Sequence, residues 1–173
     1  MAFINLLLFV ILAICFVTDI KKRKIYNIVT FPSLIVSLVW HTATGGWDGL
    51  LFSLSGCFIG FGILLIPYLL GGMGAGDVKL MAVIGAAKGT VFVLTTAVYM
   101  GLLGGILAIG VLLFRKGMWQ QAKAVIYSLC GFRYGLKIPI YIDSRHVKQT
   151  YPYGVAIVGG ALVTLMGKGW LLL

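Results

Sequence analysis

The chain has 173 residues, of which 61% are hydrophobic and only 10% charged, against about 45–50% apolar and about 25% charged in a soluble domain. So few charges cannot cover a water-soluble surface of this size, and one all-α membrane domain over 1–173 is the expected unit. The net charge of +10 is concentrated in Lys21-Lys22-Arg23-Lys24 and in the stretch from Arg115 to Lys148, a pattern of cytoplasmic loops against anionic headgroups and not of a nucleic-acid-binding face.

About 20 apolar residues span the hydrocarbon core as a helix, and hydropathy predicts six such segments. The first is about Ala2–Thr18. Its basic run follows the apolar stretch, with no small-x-small cleavage site, so it reads as an anchor with its amino end outside and not as a signal peptide. The second and third are about Asn27–Thr42 and Asp48–Leu70, joined by His41–Trp47, which carries no Lys or Arg. A short fourth segment, about Asp77–Ala87, follows a glycine-rich stretch with Gly71, Gly72, Gly74 and Gly76. That stretch is expected to be flexible and to allow close backbone approach. The fifth is about Thr90–Phe114 and the sixth about Tyr153–Leu172. Counted this way, both basic segments fall on one side, as the positive-inside rule requires; without the fourth segment they would not. In the cytoplasmic segment 115–150, Trp119, Ala122, Val125, Ile126 and Leu129 recur at helical spacing and predict an amphipathic helix over Met118–Cys130 at the interface. Gly56 and Gly60, and Gly101, Gly104 and Gly105, suit close helix packing.

Cys15, Cys57 and Cys130 form no Cys-x-x-Cys pair, which removes a zinc knuckle or a redox pair. His41 and His146 fall on opposite predicted sides. No metal or other cofactor is expected.

Only four carboxylates exist: Asp19, Asp48, Asp77 and Asp143. Acids in or near membrane helices are costly and count as functional candidates. Asp48 reads as a helix N-cap before the third segment, and Asp143 as a solvated loop acid. Asp19 closes the first helix, where the dipole favours cations; its placement calls for a reason beyond a helix-end salt bridge. Asp77 opens the fourth segment as an N-cap behind the glycines. The topology puts Asp19 and Asp77 at one depth on the inner side. Two facing carboxyls can share a proton, one acting as base on a water and the other donating to a scissile carbonyl oxygen. Two other readings stay open on the residues alone: a small transporter whose broken helix and acids bind a cation, and a non-catalytic assembly subunit.

Three blocks carry a resemblance. Gly72-Met73-Gly74-Ala75-Gly76-Asp77-Val78-Lys79-Leu80-Met81-Ala82 resembles the Gly-x-Gly-Asp motif of the type IV prepilin peptidases. Thr18-Asp19-Ile20-Lys21-Lys22-Arg23-Lys24-Ile25-Tyr26-Asn27 resembles that family's first aspartate motif, with Tyr26 in place of the usual proline, which leaves the entry to the second helix less constrained. Pro152-Tyr153-Gly154-Val155-Ala156 resembles its last-helix signature. The resemblance implies an aspartic endopeptidase of the inner membrane, with Asp19 and Asp77 as the catalytic pair and Gly74, Gly76 and Lys79 supporting the motif. Its substrates would be prepilins or pseudopilins, cut after a basic leader at the cytoplasmic face. Larger members carry an amino-terminal domain with paired Cys-x-x-Cys motifs, associated with N-methylation. This sequence has none, and the resemblance then implies a peptidase without that activity, similar to those of tight-adherence pilus systems. Which pilin is cut, and the oligomeric state, are not legible in the residues.

Overall fold

The computed structural model describes residues 2–22, 24–114 and 153–167. Five helices form there and no strand: α1 (Ala2–Lys22), α2 (Asn27–Leu69), α3 (Ala75–Lys88), α4 (Thr90–Phe114) and α5 (Tyr153–Gly167). The chain divides into two units, Met1–Leu103 with Thr150–Leu173, and Gly104–Gln149. Of the second unit the described part is the continuation of α4 to Phe114. The amphipathic helix expected over Met118–Cys130, and Asp143, lie outside the described residues.

Among the described residues, three helices are long and apolar enough to cross a membrane, over Phe3–Lys22, Asn27–Leu69 and Thr90–Leu107. Their outer faces carry large exposed apolar side chains, among them Leu6, Phe9, Ile35, Phe58 and Val98, a surface suited to lipid and not to water. This is a membrane protein.

At 43 residues, α2 would be roughly 65 Å long if straight, twice the thickness of the hydrocarbon core. It is not straight. Gly46 takes φ 58°, ψ −136°, and the helix folds back there into two limbs, 27–45 and 47–69. Gly49 on the second limb abuts the His41 carbonyl on the first. The two predicted segments 27–42 and 48–70 are these limbs.

Both limbs pack against α3, in opposite senses. On the first, Asn27 meets Lys79 and His41 meets Ala87. On the second, Gly60 abuts Met81 and Gly56 abuts Gly85, backbone against backbone. The other side of α3 is covered by α1 and α5. Almost every α3 side chain from Asp77 to Ala87 is buried, as expected of a helix that is apolar all round. α1 runs antiparallel to it, with Asn5 bonded to Lys88 near the end of α3, and buries Ile4, Leu8, Ile11, Leu12 and Cys15. α5 lies antiparallel to α4. Gly160 rests on the backbone at Thr96 and Met100, and Thr96 donates to Thr164.

With 14 residues, α3 rises only about 21 Å, and its last carbonyls end inside the bundle. A buried helix end needs partners for these groups. Ser53 Oγ donates to Ala86 O at 2.8 Å, His41 Nε2 to Ala87 O at 3.0 Å and Gly89 N to Gly85 O at 2.7 Å. Both side-chain donors come from α2.

Two expectations need correction. Asp77 is the third residue of α3, which starts at Ala75, and not its N-cap. At the start of the glycine stretch Gly71, at φ 76°, ends α2 with Gly72 N donating to Pro67 O and Gly71 N to Tyr68 O, both at 2.9 Å. That is a Schellman closure, and only a few residues separate it from α3. Gly56 and Gly60 do pack closely, but Gly101 and Gly105 face open space; the close contacts on the later helices use Gly154, Gly159 and Gly160 instead.

Candidate functional site

α1 presents its buried face at positions 4, 8, 11, 12 and 15. The next position in that series is 19, so helical period turns Asp19 toward the α3 side of the bundle. The carboxylate is 5% exposed. The turn after α1 brings Ile25 over Gly76, where a side chain would place its Cβ 2.9 Å from that of Ile25. Gly76 thus lets the α1–α2 turn rest on the first turn of α3. Tyr26 at the entry to α2 takes φ −84°, ψ 134°, an extended geometry close to that of proline, so the substitution leaves the entry where proline would put it.

On the facing side, Asp77 is 7% exposed. Its Oδ2 accepts the Gly74 N–H at 3.1 Å, while Gly74 O accepts the Asp77 N–H at 3.1 Å. This reciprocal pair fixes the start of α3 and holds the carboxylate at the positive end of the helix. Lys79 reaches away to Asn27 Oδ1 at 2.8 Å and lies 5.3 Å from the centroid of Phe31.

The two carboxyl groups are near enough to interact electrostatically. Two buried acids, 58 positions apart by their numbers in the sequence, therefore lie at the same end of the bundle, where the Ile25 turn after α1 rests on Gly76 beside Asp77. Asp48 does not join them. It is exposed, just past the Gly46 break, at the other end. A cavity of about 300 Å³ lined by Trp40, His41, Phe52 and Lys88 also lies at that other end, with His41 and Lys88 already bonded within the protein. It has no part in the acidic pair.

The model of the type IV leader peptidase family matches residues 6–109, more than half of the chain, and the match contains both acids. The chain belongs to the type IV leader peptidase family. A search of curated proteins and a search of solved structures each returned no match.

The peptidase's acidic pair has one more component, the start of α5, which no acidic or basic side chain announces in the sequence. Val155 N donates to Asp19 Oδ2 at 3.2 Å, so Asp19 sits where an amino-terminal helix dipole favours an anion. The anomaly of an acid closing α1 finds its answer there. The one signal for it is the Pro152–Ala156 block, whose glycine lies against the Asp19 carboxylate.

Proposed function

We propose that the peptidase is an aspartic endopeptidase in which Asp19 and Asp77 act as a pair on the leader of a type IV prepilin or pseudopilin. What supports this reading is the placement of two buried carboxyls at one end of the bundle, where the turn after α1 rests on the first turn of α3. Each also accepts a backbone N–H at the start of a helix.

Like charges in one buried site resist joint ionisation, so the pair holds one proton between two acids. The ionised carboxylate takes a proton from a water, whose oxygen attacks the scissile carbonyl carbon. The protonated partner donates to the carbonyl oxygen, giving a tetrahedral gem-diol. Collapse of that species breaks the C–N bond: the leaving nitrogen takes its proton from the carboxyl that received one from water, and the other carboxylate takes one back from a gem-diol hydroxyl, which leaves a carboxylic acid and restores one proton to the pair. No cofactor enters the scheme.

The charge pattern supports a location in the inner membrane. With α1, the two limbs of α2, α3, α4 and α5 counted as six crossings and the amino end outside, Lys21–Lys24 and Arg115–Lys148 face the cytoplasm and its anionic headgroups. Asp19, next to the first basic run, then lies at the cytoplasmic edge. A substrate helix entering from lipid would present its leader junction at that depth. Without paired Cys-x-x-Cys motifs in this sequence, no N-methylation of the product is proposed.

The test is cleavage of a candidate prepilin by the purified protein in detergent. Asp19→Asn and Asp77→Asn should each abolish cleavage while the unfolding temperature is retained, and Asp48→Asn, at the far end of the bundle, should cleave as wild type. Full activity in either of the first two variants would refute the pairing.

A further inference from the structure

We infer that Gly154 and the backbone amide of Val155 are positioning groups for Asp19, and that the position at 154 must be a glycine for that reason. The inference rests on the catalytic reading of Asp19 given above, and it concerns what holds that carboxylate in place.

The geometry is specific. A Cβ on residue 154 would lie 2.6 Å from Asp19 Oδ2, 2.7 Å from its Cγ and 3.1 Å from its Cβ. Those distances are inside van der Waals contact, so one side must move. α5 has little freedom to retreat. Gly160, less than two turns further on, already touches the α4 backbone at Met100 N and Thr96 O, where a Cβ would come within 2.7 Å and 2.8 Å. Asp19 is the group that yields, and it is short and buried. It can swing aside only by leaving the Val155 N–H, which it accepts at 3.2 Å.

Among the described residues, Asp19 Oδ2 is the acceptor of that N–H. Val155 is the third residue of α5, and the first N–H groups of a helix have no intrahelical acceptor. The donor is therefore available to a group brought in from another helix, and the carboxylate is held by the dipole as well as by the bond. An acid at the last turn of α1 has the opposite field from its own helix. Without α5 it would be drawn toward Lys21, Lys22 and solvent. The peptidase thus assembles half of its pair from α1 and the restraint on that half from α5, which the chain reaches only after both acids have been made.

The consequence for chemistry follows from how strongly rate depends on alignment: a displacement of about 1 Å costs on the order of 100-fold in rate. Gly154→Ala should lower kcat for prepilin cleavage by at least about tenfold with KM changed by less than about twofold, because the change acts on the alignment of the reacting carboxylate. A role in packing alone would lower the yield of folded enzyme and leave kcat per folded molecule intact.

A cycle of variants separates these. Gly154→Ala is combined with Asp19→Ala, which removes the group it strikes, and with Asp19→Asn, which has nearly the same shape as the native residue. Unfolding temperature in detergent is measured for each, beside cleavage by the Asp19-containing and Asp19→Asn proteins. The expected result is that Gly154→Ala lowers the unfolding temperature in the wild-type and Asp19→Asn backgrounds and has a much smaller effect in Asp19→Ala, where only the 3.1 Å approach to the Cβ remains. An equal loss in all three, or wild-type kcat in Gly154→Ala, would overturn the positioning role and leave the catalytic pair standing. Conversely, cleavage surviving in Asp19→Asn would remove the catalytic reading while the steric cycle in unfolding temperature still held.

Discussion

Lys79 donates from its ammonium to Asn27 Oδ1 across 2.8 Å, and so ties α3, two residues past Asp77, to the first residue of α2. Asn27 directly follows the turn that leads out of α1. The link therefore joins the helix that carries Asp77 to the helix that follows the one carrying Asp19, and the Lys79 ammonium lies 5.3 Å from the Phe31 ring centroid.

Replacing Lys79 by Met keeps the stem and removes both polar contacts. The pair is partly exposed, so the cost should be about 1 kcal/mol. Asn27→Ala should cost about as much, and the double variant little more than either alone, a coupling of about 0.5–1 kcal/mol. Thermal unfolding of the four proteins in detergent measures this directly. Strict additivity would show that the bond contributes nothing to the join.

A stronger effect is expected where helices touch through backbone. A methyl group on Gly56 would overlap the Gly85 carbonyl, and one on Gly85 would overlap the Gly56 carbonyl. Neither backbone can give way as a side chain can. Gly56→Ala or Gly85→Ala should each cost about 3 kcal/mol, at the upper end of overpacking effects. By contrast, Gly101→Ala and Gly105→Ala meet open space inside a helix, where alanine is favoured over glycine by about 1 kcal/mol. They should be neutral or slightly stabilising. The readouts are the unfolding temperature and the monodisperse fraction after detergent extraction, and equal behaviour of the two pairs would contradict the packing described.

These two glycine classes also mark the limit of what can be read from the residues. Hydropathy locates the helices because a bilayer demands long apolar runs. The segment it predicts at Thr90–Phe114 has the bounds of α4, and the other segments agree to within a few residues where described. Hydropathy has no term for which glycine meets which backbone. It therefore offers Gly101 and Gly105 as packing residues, when Gly85, Gly154 and Gly160 fill that role. The site behaves similarly. Loop charge brings Asp19 and Asp77 to one end, since both follow from counting crossings. The Val155 amide, a backbone group far along the chain, leaves no side-chain signature of its own.

The carbonyl end of α3 gives a separate prediction. Ser53 is fully buried, and its hydroxyl donates to Ala86 O at 2.8 Å. Ser53→Ala removes the donor and leaves a helix-end carbonyl without that partner, which should cost about 1–2 kcal/mol. His41→Phe retains the ring against Phe52, 5.2 Å away between centroids, but loses the bond to Ala87 O; it should cost a similar amount. Because the two bonds close adjacent carbonyls of one helix end, frayed together once either is lost, the double variant should fall short of the sum. Hydrogen exchange at the last turn of α3 reports the fraying, and unchanged protection there would argue against the capping role.

Gly71 and Gly89 both have positive φ, 76° and 81°, yet alanine should act differently at each. A Cβ at Gly71 meets nothing within 4 Å, so Gly71→Ala pays only the left-handed backbone penalty, about 1 kcal/mol. Gly89 combines its φ with ψ −179°, a region open essentially to glycine alone and worth about 1–3 kcal/mol to any other residue. Its Cβ would also run into the Phe52 ring. Two separable costs then add. Phe52→Leu shortens the obstructing side chain and should recover the steric part in a Gly89→Ala background, while the backbone part persists. At Gly71 the same Phe52→Leu change should recover nothing, since that residue caps the other end of the hairpin limb. Unfolding temperatures of the six proteins, the two alanine variants and wild type with and without Phe52→Leu, decide it: recovery at both glycines, or at neither, is incompatible with the contacts around Gly89.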